Sequence, residues 1–323
     1  MIQRFLVPLD GSPLAEQALG QAKALARAFD AEVILLGVQE TPASPSPMNP
    51  ISWRLACAET RWYLEGLASS LRDQGLRVTP LVAEGRPADE ILQTLRARSV
   101  DLIVLCSHGL GGRIRFRLGG TAQKVVFNAG VSVLVVRATT LKPEEPAAPR
   151  DFGCILVALD GSQRAQWALC MAAAIARAHH GELLLVHVVE TRELEGRMPA
   201  TPEDQELARK LVERDRRSAE LYLAETESLL ATSGLQVRTR LVEAPQVVPA
   251  LENVAAEEGC SLMVVSAHGS SGPAAWLYGS VAERLIFHGK LPLLVFQDLP
   301  REEPVESAEA EEPGVRLAML ASV

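Results

Sequence analysis

The sequence predicts two tandem, doubly wound α/β domains, each built on a five-stranded parallel sheet flanked by helices. The first observation is a repeat: FLVPLDGS at 5–12 recurs as ILVALDGS at 155–162, and SHG at 107–109 recurs as AHG at 267–269. The offset is 150 positions for the first pair and 160 for the second, so the second copy carries about ten additional residues. The second observation is that short aliphatic runs alternate with helical stretches in both copies, which is typical of a parallel sheet covered on both faces.

Each copy is predicted to contain five strands, each a short run rich in Val, Ile and Leu. Right-handed crossovers between parallel strands favour an open, doubly wound sheet. In the first copy the predicted strands are 5–9, 32–38, 77–83, 101–105 and 132–136, and the predicted helices are 13–29, 53–73, 87–98 and 121–129. In the second copy the predicted strands are 155–159, 182–188, 236–242, 261–265 and 291–296.

Composition shifts set the predicted domain boundaries. The first domain covers 1–140, a Pro-rich linker covers 141–151, and the second domain covers 152–298. The acidic tail at 299–323 contains few large apolar residues and is predicted to be disordered. Pro and Ser in TPASPSPMNP at 41–50 predict a loop above the strand ends.

The charge balance argues against nucleic acid and anionic membranes as partners. The chain has 323 residues and a net charge of −8, whereas both of those partners need a cationic face. Five cysteines without CxxC spacing argue against a disulfide framework or a zinc site and favour a reducing compartment. No apolar run approaches the roughly 18 residues of a membrane span, and no signal peptide is recognisable at the N-terminus. We therefore expect a cytoplasmic, soluble protein.

An aspartate ends the first strand of each copy and precedes Gly-Ser. Ser12 and Ser162 are placed to N-cap the next helix, so turn and cap chemistry explains the Gly-Ser. It does not require Asp10 and Asp160, whose carboxylates would suit a ribose hydroxyl or a divalent cation. The sequence leaves the structural and the binding interpretation of these two aspartates open.

A glycine-rich loop follows the fourth strand in each copy. Gly109 and Gly119 are separated by nine residues, as are Gly269 and Gly279, and the later glycine stands just before a predicted helix. Free backbone N–H groups and the positive end of the helix dipole make such a helix start a ready site for phosphate. The alternative is a glycine-rich turn followed by a Ser cap, which the recurrence of the spacing makes less attractive.

The pattern Gly-x2-Gly-x9-Gly-Ser/Thr, together with the aspartate after the first strand, resembles the ATP-binding universal stress proteins over 1–137 and 152–297. The resemblance implies an adenine nucleotide alpha hydrolase-like fold with strand order 3-2-1-4-5, and a pseudo-dimer in which the two domains join through their last strands, VSVLVVRA and LPLLVFQD. It also implies bound ATP, in some members with Mg²⁺, and leaves further assembly into a homodimer open. The implied nucleotide-binding residues are Pro8, Asp10, Val38, Leu105, His108, Gly109, Gly112, Gly119, Gly120 and Thr121 in the first copy, and Ala158, Asp160, Val188, Val265, His268, Gly269, Gly272, Gly279, Ser280 and Val281 in the second.

Both copies depart from the family pattern. The first loop glycine is replaced by Cys106 and by Ser266, and the hydroxyl that should follow Gly119 comes one residue late, at Thr121. The first loop carries arginines at 113, 115 and 117, and the second carries Pro273 and no basic residue. The second copy therefore keeps the motif better, while the first has the more favourable charge for phosphate.

Two functions remain after these observations. The first is a stress-response regulator that binds ATP and turns it over slowly at most, because no Walker lysine and no GxxxxGK[ST] motif is present. The second is a nucleotide-free scaffold whose sites have degenerated. No nucleophile with an orienting base is recognisable, so no catalytic residue is predicted; His108 and His268 are interpreted as loop histidines and Cys106 as a core thiol.

Overall fold

The structure of the chain is a computed structural model that describes residues 2–41, 49–110, 118–138, 152–191, 201–269 and 277–298. The predicted linker at 141–151 and the predicted tail at 299–323 lie outside these residues. The first half contains β1 (Arg4–Leu9), α1 (Pro13–Phe29), β2 (Glu32–Glu40), α2 (Pro50–Asp73), β3 (Val78–Gly85), α3 (Pro87–Ala97), β4 (Leu102–Cys106), α4 (Gly120–Val126) and β5 (Ser132–Val136). The second half contains β6 (Cys154–Ala158), α5 (Gln163–His179), β7 (Glu182–Glu190), α6 (Pro202–Ala231), β8 (Gln236–Ala244), α7 (Val247–Glu257), β9 (Leu262–Ser266), α8 (Ser280–His288) and β10 (Leu293–Phe296).

The strands form one ten-stranded sheet in the order β3-β2-β1-β4-β5-β10-β9-β6-β7-β8. Each half is parallel with the order 3-2-1-4-5, so the fold expected from the sequence is confirmed. The two last strands pair as the resemblance implied, and they run antiparallel with Leu134 opposite Leu294. The chain therefore has a pseudo-twofold axis between β5 and β10, and the carboxyl edges of the two halves point in opposite directions.

The sheet is apolar on both faces because successive residues of each central strand belong alternately to two buried layers. All five residues of β4 are buried, and neighbouring residues belong to different layers: Val104 belongs to the core layer that includes α1 and α5, while Ile103 and Leu105 belong to the layer that includes α3 and α7. A strand buried on both faces needs a continuous aliphatic run, which is why periodicity identified these strands. Among the described residues, the helices are too short or too polar to cross a membrane.

Side chains lock the two halves together across the β5–β10 seam. The guanidinium of Arg137 donates to the carbonyl oxygens of Leu285 and Ile286, at 2.6 and 2.8 Å, in the last turn of α8. In return, the Tyr278 hydroxyl donates to the Val126 carbonyl at 3.0 Å at the end of α4. Phe127 stacks on Phe287 with ring centroids 5.2 Å apart. The contact is thus an apolar core flanked by two hydrogen bonds to the end of α8 and one to the end of α4.

Several predicted element ends are wrong by a few residues. The segment 41–50 was expected to be a loop throughout, but Pro50 is the first residue of α2 and Asn49 caps it, accepting a hydrogen bond from Ile51 N at 2.9 Å. Proline is favourable at that position because the first helical N–H needs no intrahelical partner. The rest of the segment, 42–48, lies outside the described residues. Most of the additional length of the second copy lies before β8, where α6 has 30 residues and α2 has 24.

Candidate nucleotide site

A cavity of about 780 Å³ opens at the carboxyl edge of the first half, between the ends of β1, β2 and β4 and the start of α4. We call it the first-half cavity. An open α/β sheet places its ligand site at this edge, where the strand order reverses beside β1. Its lining includes Pro8, Asp10, Val38, Leu105, His108, Gly109, Gly119, Gly120 and Thr121, which the sequence singled out; Gly112 lies outside the described residues.

Asp10 ties two loops of this edge together. One carboxylate oxygen accepts hydrogen bonds from the backbone N and the hydroxyl of Ser12, at 3.0 and 2.6 Å. The other accepts from the backbone N of Leu110 at 2.7 Å, in the loop after β4. A Cβ added at Gly109 would overlap this second oxygen, so the position requires glycine. Asp10 thus has a structural role that the sequence left open, and its exposed carboxylate still faces the cavity.

The second half repeats this arrangement. Asp160 accepts a hydrogen bond from Ser162 N at 3.0 Å, and a Cβ at Gly269 would lie 2.5 Å from its other oxygen. Ser12 and Ser162 both cap the helix that follows, accepting from the backbone N of the third residue along. The Asp-Gly-Ser turn and the loop glycine therefore form one structural unit in each copy.

The later glycine of each loop is the N-cap of the helix behind the site. The N–H of Gly119 donates to the Ser107 carbonyl at 2.8 Å, and Gly279 does the same to Ala267 at 2.8 Å. Neither α4 nor α8 has a side-chain cap, so the expected alternative of a Ser or Thr cap at this point is wrong. The N–H groups of the first turn are left without an intrahelical acceptor. In the first half they belong to Gly120 and the two residues after it, which line the cavity.

Gly120, the first residue of α4, is not packed against other atoms in the way that Gly109 is. A Cβ at Gly120 would meet no atom within 4 Å, so the fold does not require a glycine there. Ser280 occupies the corresponding position in the second half and is likewise exposed. The space beside this position is the cavity itself, which makes Gly120 a site where a side chain can be added without disturbing the core.

The two loop histidines are buried in different surroundings. His108 is 6% exposed, and its Nδ1 lies 3.0 Å from the hydroxyl of Ser107. His268 is 2% exposed, and its Nδ1 lies 3.9 Å from the carboxylate of Asp298, which pairs with Arg164 at 2.6 Å. Both imidazoles therefore contribute to loop packing, in line with their interpretation as loop histidines.

The structure adds polar residues that the sequence reasoning missed. Tyr63 on α2 lines the cavity, and its hydroxyl donates to Glu16 at 2.8 Å; burial and this carboxylate raise the pKa of Tyr63. Glu40, Glu59 and Thr60 also line the entrance. The only signal for Glu59, Thr60 and Tyr63 was helical spacing on a stretch whose partner strand was unknown, and Glu40 stands at the end of β2. Burial raises the pKa of the Cys106 thiol, as expected of a core cysteine.

The remaining second-copy candidates also lie at a carboxyl edge. Ala158 ends β6, Val188 lies in β7, and Val265 lies in β9. Gly279 caps α8, and Ser280 and Val281 open its first turn; Gly272 lies outside the described residues. These residues thus occupy the same strand and helix ends as their first-half counterparts.

One substitution changes the space behind the second site. The register places His187 where the first half has Gly37, because Leu36 pairs with Pro8 and Val186 with Ala158. A Cβ at Gly37 would lie 2.7 Å from Thr60 Cγ2, whereas the second half has Ala219 at the position of Thr60, three residues before Tyr222. The first half thus combines a small strand residue, Gly37, with the larger Thr60 on the helix. The second half combines a large strand residue, His187, with the small Ala219 on the helix.

Comparison with known proteins decides the family. The model of the universal stress protein family matches this chain twice, over residues 1–137 and 152–297. The chain belongs to the universal stress protein family. The two matched segments are the two halves of the ten-stranded sheet, so this universal stress protein is a tandem member with two family domains in one chain.

Curated relatives match either one copy or the whole tandem. A universal stress protein of Methanocaldococcus jannaschii is 30% identical over 141 residues, which is 42% of this chain and 83% of the relative. A universal stress protein of Mycolicibacterium smegmatis is 24% identical over 300 residues, which is 90% of this chain and 96% of the relative.

A solved structure shows the same tandem fold. The crystal structure of a universal stress protein from Archaeoglobus fulgidus aligns with a TM-score of 0.63 at 18% identity, covering 91% of this chain and 98% of that chain. At this identity the likeness concerns the fold.

Proposed function

We propose that this universal stress protein is a stress-response regulator that binds an adenine nucleotide, with ATP as the expected form, in the first-half cavity. The observation that carries the proposal is the convergence of residues from four separate parts of the chain on one cavity of about 780 Å³. Ligand pockets for small molecules have volumes of roughly 300–1,000 Å³. The residues that the family resemblance implies meet at the edge where open α/β sheets bind ligands.

The residues of the cavity suit the parts of a nucleotide. Pro8, Val38 and Leu105 offer an apolar surface for the base. The clamped carboxylate of Asp10 is exposed at the centre of the edge, where it can accept a hydrogen bond from a ribose hydroxyl. The first-turn N–H groups of α4, next to the glycine at 120, can donate to phosphate oxygens. A bound nucleotide would thus lie across the ends of β2, β1 and β4.

The described lining of the first-half cavity does not by itself neutralise the charge of a triphosphate. Three carboxylates line the cavity, those of Asp10, Glu40 and Glu59, and no lysine or arginine is among the described lining residues. A triphosphate would be repelled here unless a cation comes with it. The arginines at 113, 115 and 117 follow the described loop directly, and Mg²⁺ bound to the phosphates would supply further positive charge. Within the described residues these carboxylates do not come close enough together to form a three-ligand metal site, so Mg²⁺ would be held chiefly by the phosphates of the nucleotide.

We propose binding without efficient turnover. The sequence contains no P-loop lysine, and Asp10 and His108, the polar side chains beside the loop after β4, are engaged in holding that loop. The bound state, not the chemistry, would carry the signal.

The test is a calorimetric titration with Mg-ATP of the wild type and two glycine variants. Gly120→Leu places a side chain in the cavity at a position where the fold leaves open space. Gly66→Leu is the matched control, because it makes the same change at an exposed helical position that also has open space and is not part of the cavity lining. We expect Gly120→Leu to weaken binding at least tenfold, while Gly66→Leu binds as the wild type does.

Three outcomes separate the hypotheses. Loss of one equivalent in Gly120→Leu supports the first-half site. A second equivalent that disappears only in Ser280→Leu would show that the second half also binds. No heat and no thermal shift for the wild type, against a binding-competent control protein, would overturn the proposal and favour the nucleotide-free scaffold.

A further inference from the structure

Two of the five cysteines meet in the second half although they are far apart in sequence. The Sγ atoms of Cys154 and Cys260 lie 3.0 Å apart, and 106 positions separate the two residues. This distance is within hydrogen-bonding contact for two sulfur atoms, and neither thiol is part of a disulfide. The remaining cysteines, Cys57, Cys106 and Cys170, are also free.

The sheet register brings the pair together. β6 and β9 are parallel neighbours with Ile155 opposite Leu262, so Cys154 begins β6 directly beside Ser261. The Ser261 N–H and hydroxyl both donate to the Cys154 carbonyl, at 2.8 and 3.0 Å, which fixes the backbone on both sides. Cys260 precedes that serine and is buried, while Cys154 is half-buried.

The first half has no such pair. Counting by the two repeat offsets, Arg4 stands at the position of Cys154 and Val100 at that of Cys260. The backbone pattern is retained there, since Asp101 N donates to the Arg4 carbonyl at 3.0 Å. The fold therefore places these positions side by side in both halves but does not require cysteine at either of them.

We propose that Cys154 and Cys260 are a peroxide-oxidisable pair that closes to an intramolecular disulfide between β6 and the start of β9. The Cys154 thiolate attacks one oxygen of a hydroperoxide such as H₂O₂, and the O–O bond breaks to leave a sulfenic acid and hydroxide. The Cys260 sulfur then attacks that sulfenic sulfur, and the hydroxyl leaves as water. In total, two thiols lose two hydrogens, one S–S bond forms, and one hydrogen peroxide becomes two waters.

The surroundings assign the two roles. Contact with the Cys260 thiol lowers the pKa of Cys154 and Arg238 acts in the same direction, while burial and the carboxylates of Glu182 and Glu258 oppose the shift. The same contact and burial raise the pKa of Cys260, which therefore keeps its proton as the resolving thiol. A half-buried thiol with the lower pKa is the one that a small oxidant reaches and that is ionised to attack it. Closing the bond requires the sulfur atoms to approach by about 1 Å, from contact to the disulfide length of about 2.05 Å.

The pair lies at the amino edge of the second half, away from the carboxyl edges where the candidate nucleotide sites lie. Oxidation would therefore link two neighbouring central strands without placing an atom in either site. A bond between residues this far apart in sequence restricts the unfolded chain strongly and should raise the thermal midpoint, by on the order of 10 °C. This inference does not depend on nucleotide binding.

The test is thiol counting on the full chain before and after treatment with a small molar excess of H₂O₂. The reduced protein should titrate five thiols when denatured, and the oxidised protein three, with a mass loss of about 2 Da. Peptide mapping without reduction should recover Cys154 linked to Cys260, and dithiothreitol should restore all five thiols. The thermal midpoint should fall back to its original value with that reduction.

Two variants serve as controls. Cys170→Ser removes an exposed thiol and should leave the cross-link unchanged, with four thiols falling to two. Cys154→Ser should retain four titratable thiols or gain oxygen at a cysteine, without a cross-link to Cys260. Because mapping of the wild type needs no variant, it decides the matter even if a variant folds poorly. Recovery of Cys154 and Cys260 in the reduced form, while Cys57 or Cys170 is oxidised, would overturn the proposal.

Discussion

The two halves share a fold and a loop scaffold but differ in the side chains around the site. The aspartate after the first strand and the loop glycine beside it are the same in both halves, Asp10 with Gly109 and Asp160 with Gly269. What differs is the layer behind them, where Gly37 is replaced by His187. Residues that hold the loops together are thus retained, while residues in the layer behind the loops vary.

The loop after the fourth strand shows the same division. In the first half, the Ser107 hydroxyl accepts from Ala138 N at 2.9 Å and contacts the loop histidine. In the second half an alanine replaces that serine, and Asp298, paired with Arg164, stands where the first half has Ala138. A neutral hydroxyl contact is exchanged for a partly buried ion pair. Two copies of one motif can therefore differ in ligand binding even though the backbone is the same.

The largest effect is expected at the β5–β10 seam, where equivalent side chains of the two halves make different numbers of hydrogen bonds. Arg137 reaches three carbonyl groups of the second half, whereas the side-chain amide of its counterpart Gln297 donates, among the described residues, to the Leu277 carbonyl of its own half at 3.0 Å. Burial lowers the pKa of Arg137 to about 10, so it remains charged at neutral pH. We expect Arg137→Met to lower the free energy of unfolding by about 2–4 kcal/mol, because carbonyls at the end of α8 lose their donors. Urea denaturation measures this.

Gln297→Met is the matched control for that prediction. It removes the side-chain amide that donates to the Leu277 carbonyl and accepts from Asp298 N at 3.1 Å, both contacts within the second half, so its cost should be about 1 kcal/mol. Equal losses of unfolding free energy in the two variants would contradict the unequal roles of Arg137 and Gln297 at the β5–β10 seam.

A smaller effect is expected when the side chains behind the two sites are exchanged. Gly37→His in the first half meets Thr60 Cγ2 and should cost about 1–3 kcal/mol of stability through overpacking. Adding Thr60→Ala rebuilds the second-half combination and should recover at least half of that loss. The double-mutant cycle of these two changes, measured by thermal or urea unfolding, gives the coupling directly.

The same cycle tests the site. The double variant should bind Mg-ATP more weakly than the wild type, because the imidazole occupies space beside Leu9 at the back of the first-half cavity. Additive stability losses would show that Gly37 and Thr60 do not compensate each other and would contradict this account of the two halves.

The smallest effect is a pH dependence confined to the second half. Burial lowers the pKa of His187, although Asp160 and Asp215 oppose the shift. The unfolded chain then binds the proton more readily than the folded one, so stability is present above the ordinary histidine pKa of about 6.5 and is lost as pH falls through the folded value. His187→Gln should flatten the decline in the thermal midpoint between about pH 7 and pH 5.

His180→Asn is the control for the pH experiment. It removes an exposed histidine in the left-handed conformation, which asparagine tolerates, so its pH profile should follow that of the wild type. A His187→Gln profile indistinguishable from the wild type would contradict the buried neutral imidazole.

The fold could be predicted from the sequence because its signals are local or repeated. The aliphatic run of β4 and the cap at Ser12 depend on neighbouring residues only. The strand order came from the family resemblance, and the repeat offset located the second half. The start of α2 at Pro50 was missed because Pro and Ser dominate its surroundings, although Pro is favourable at the first helical position.

The site could be predicted only in part because several of its contacts are long-range. The sequence placed Asp10 beside its strand but not against the backbone N of Leu110, 100 positions away. Tyr63 lies on a helix whose face could not be aligned with the cavity without the sheet register. The contact between Cys154 and Cys260 was hidden for the same reason, because spacing rules detect only cysteines that are close in sequence.

Photolabelling with 8-azido-ATP, followed by peptide mapping, tests the central claim that the nucleotide lies in the first-half cavity. The account predicts label on peptides from the ends of β2 and β4, around residues 36–40 and 105–110. Excess ATP should suppress the label, Gly120→Leu should lose it, and Gly66→Leu should keep it. Label confined to the second half, or label that excess ATP does not suppress, would contradict the claim.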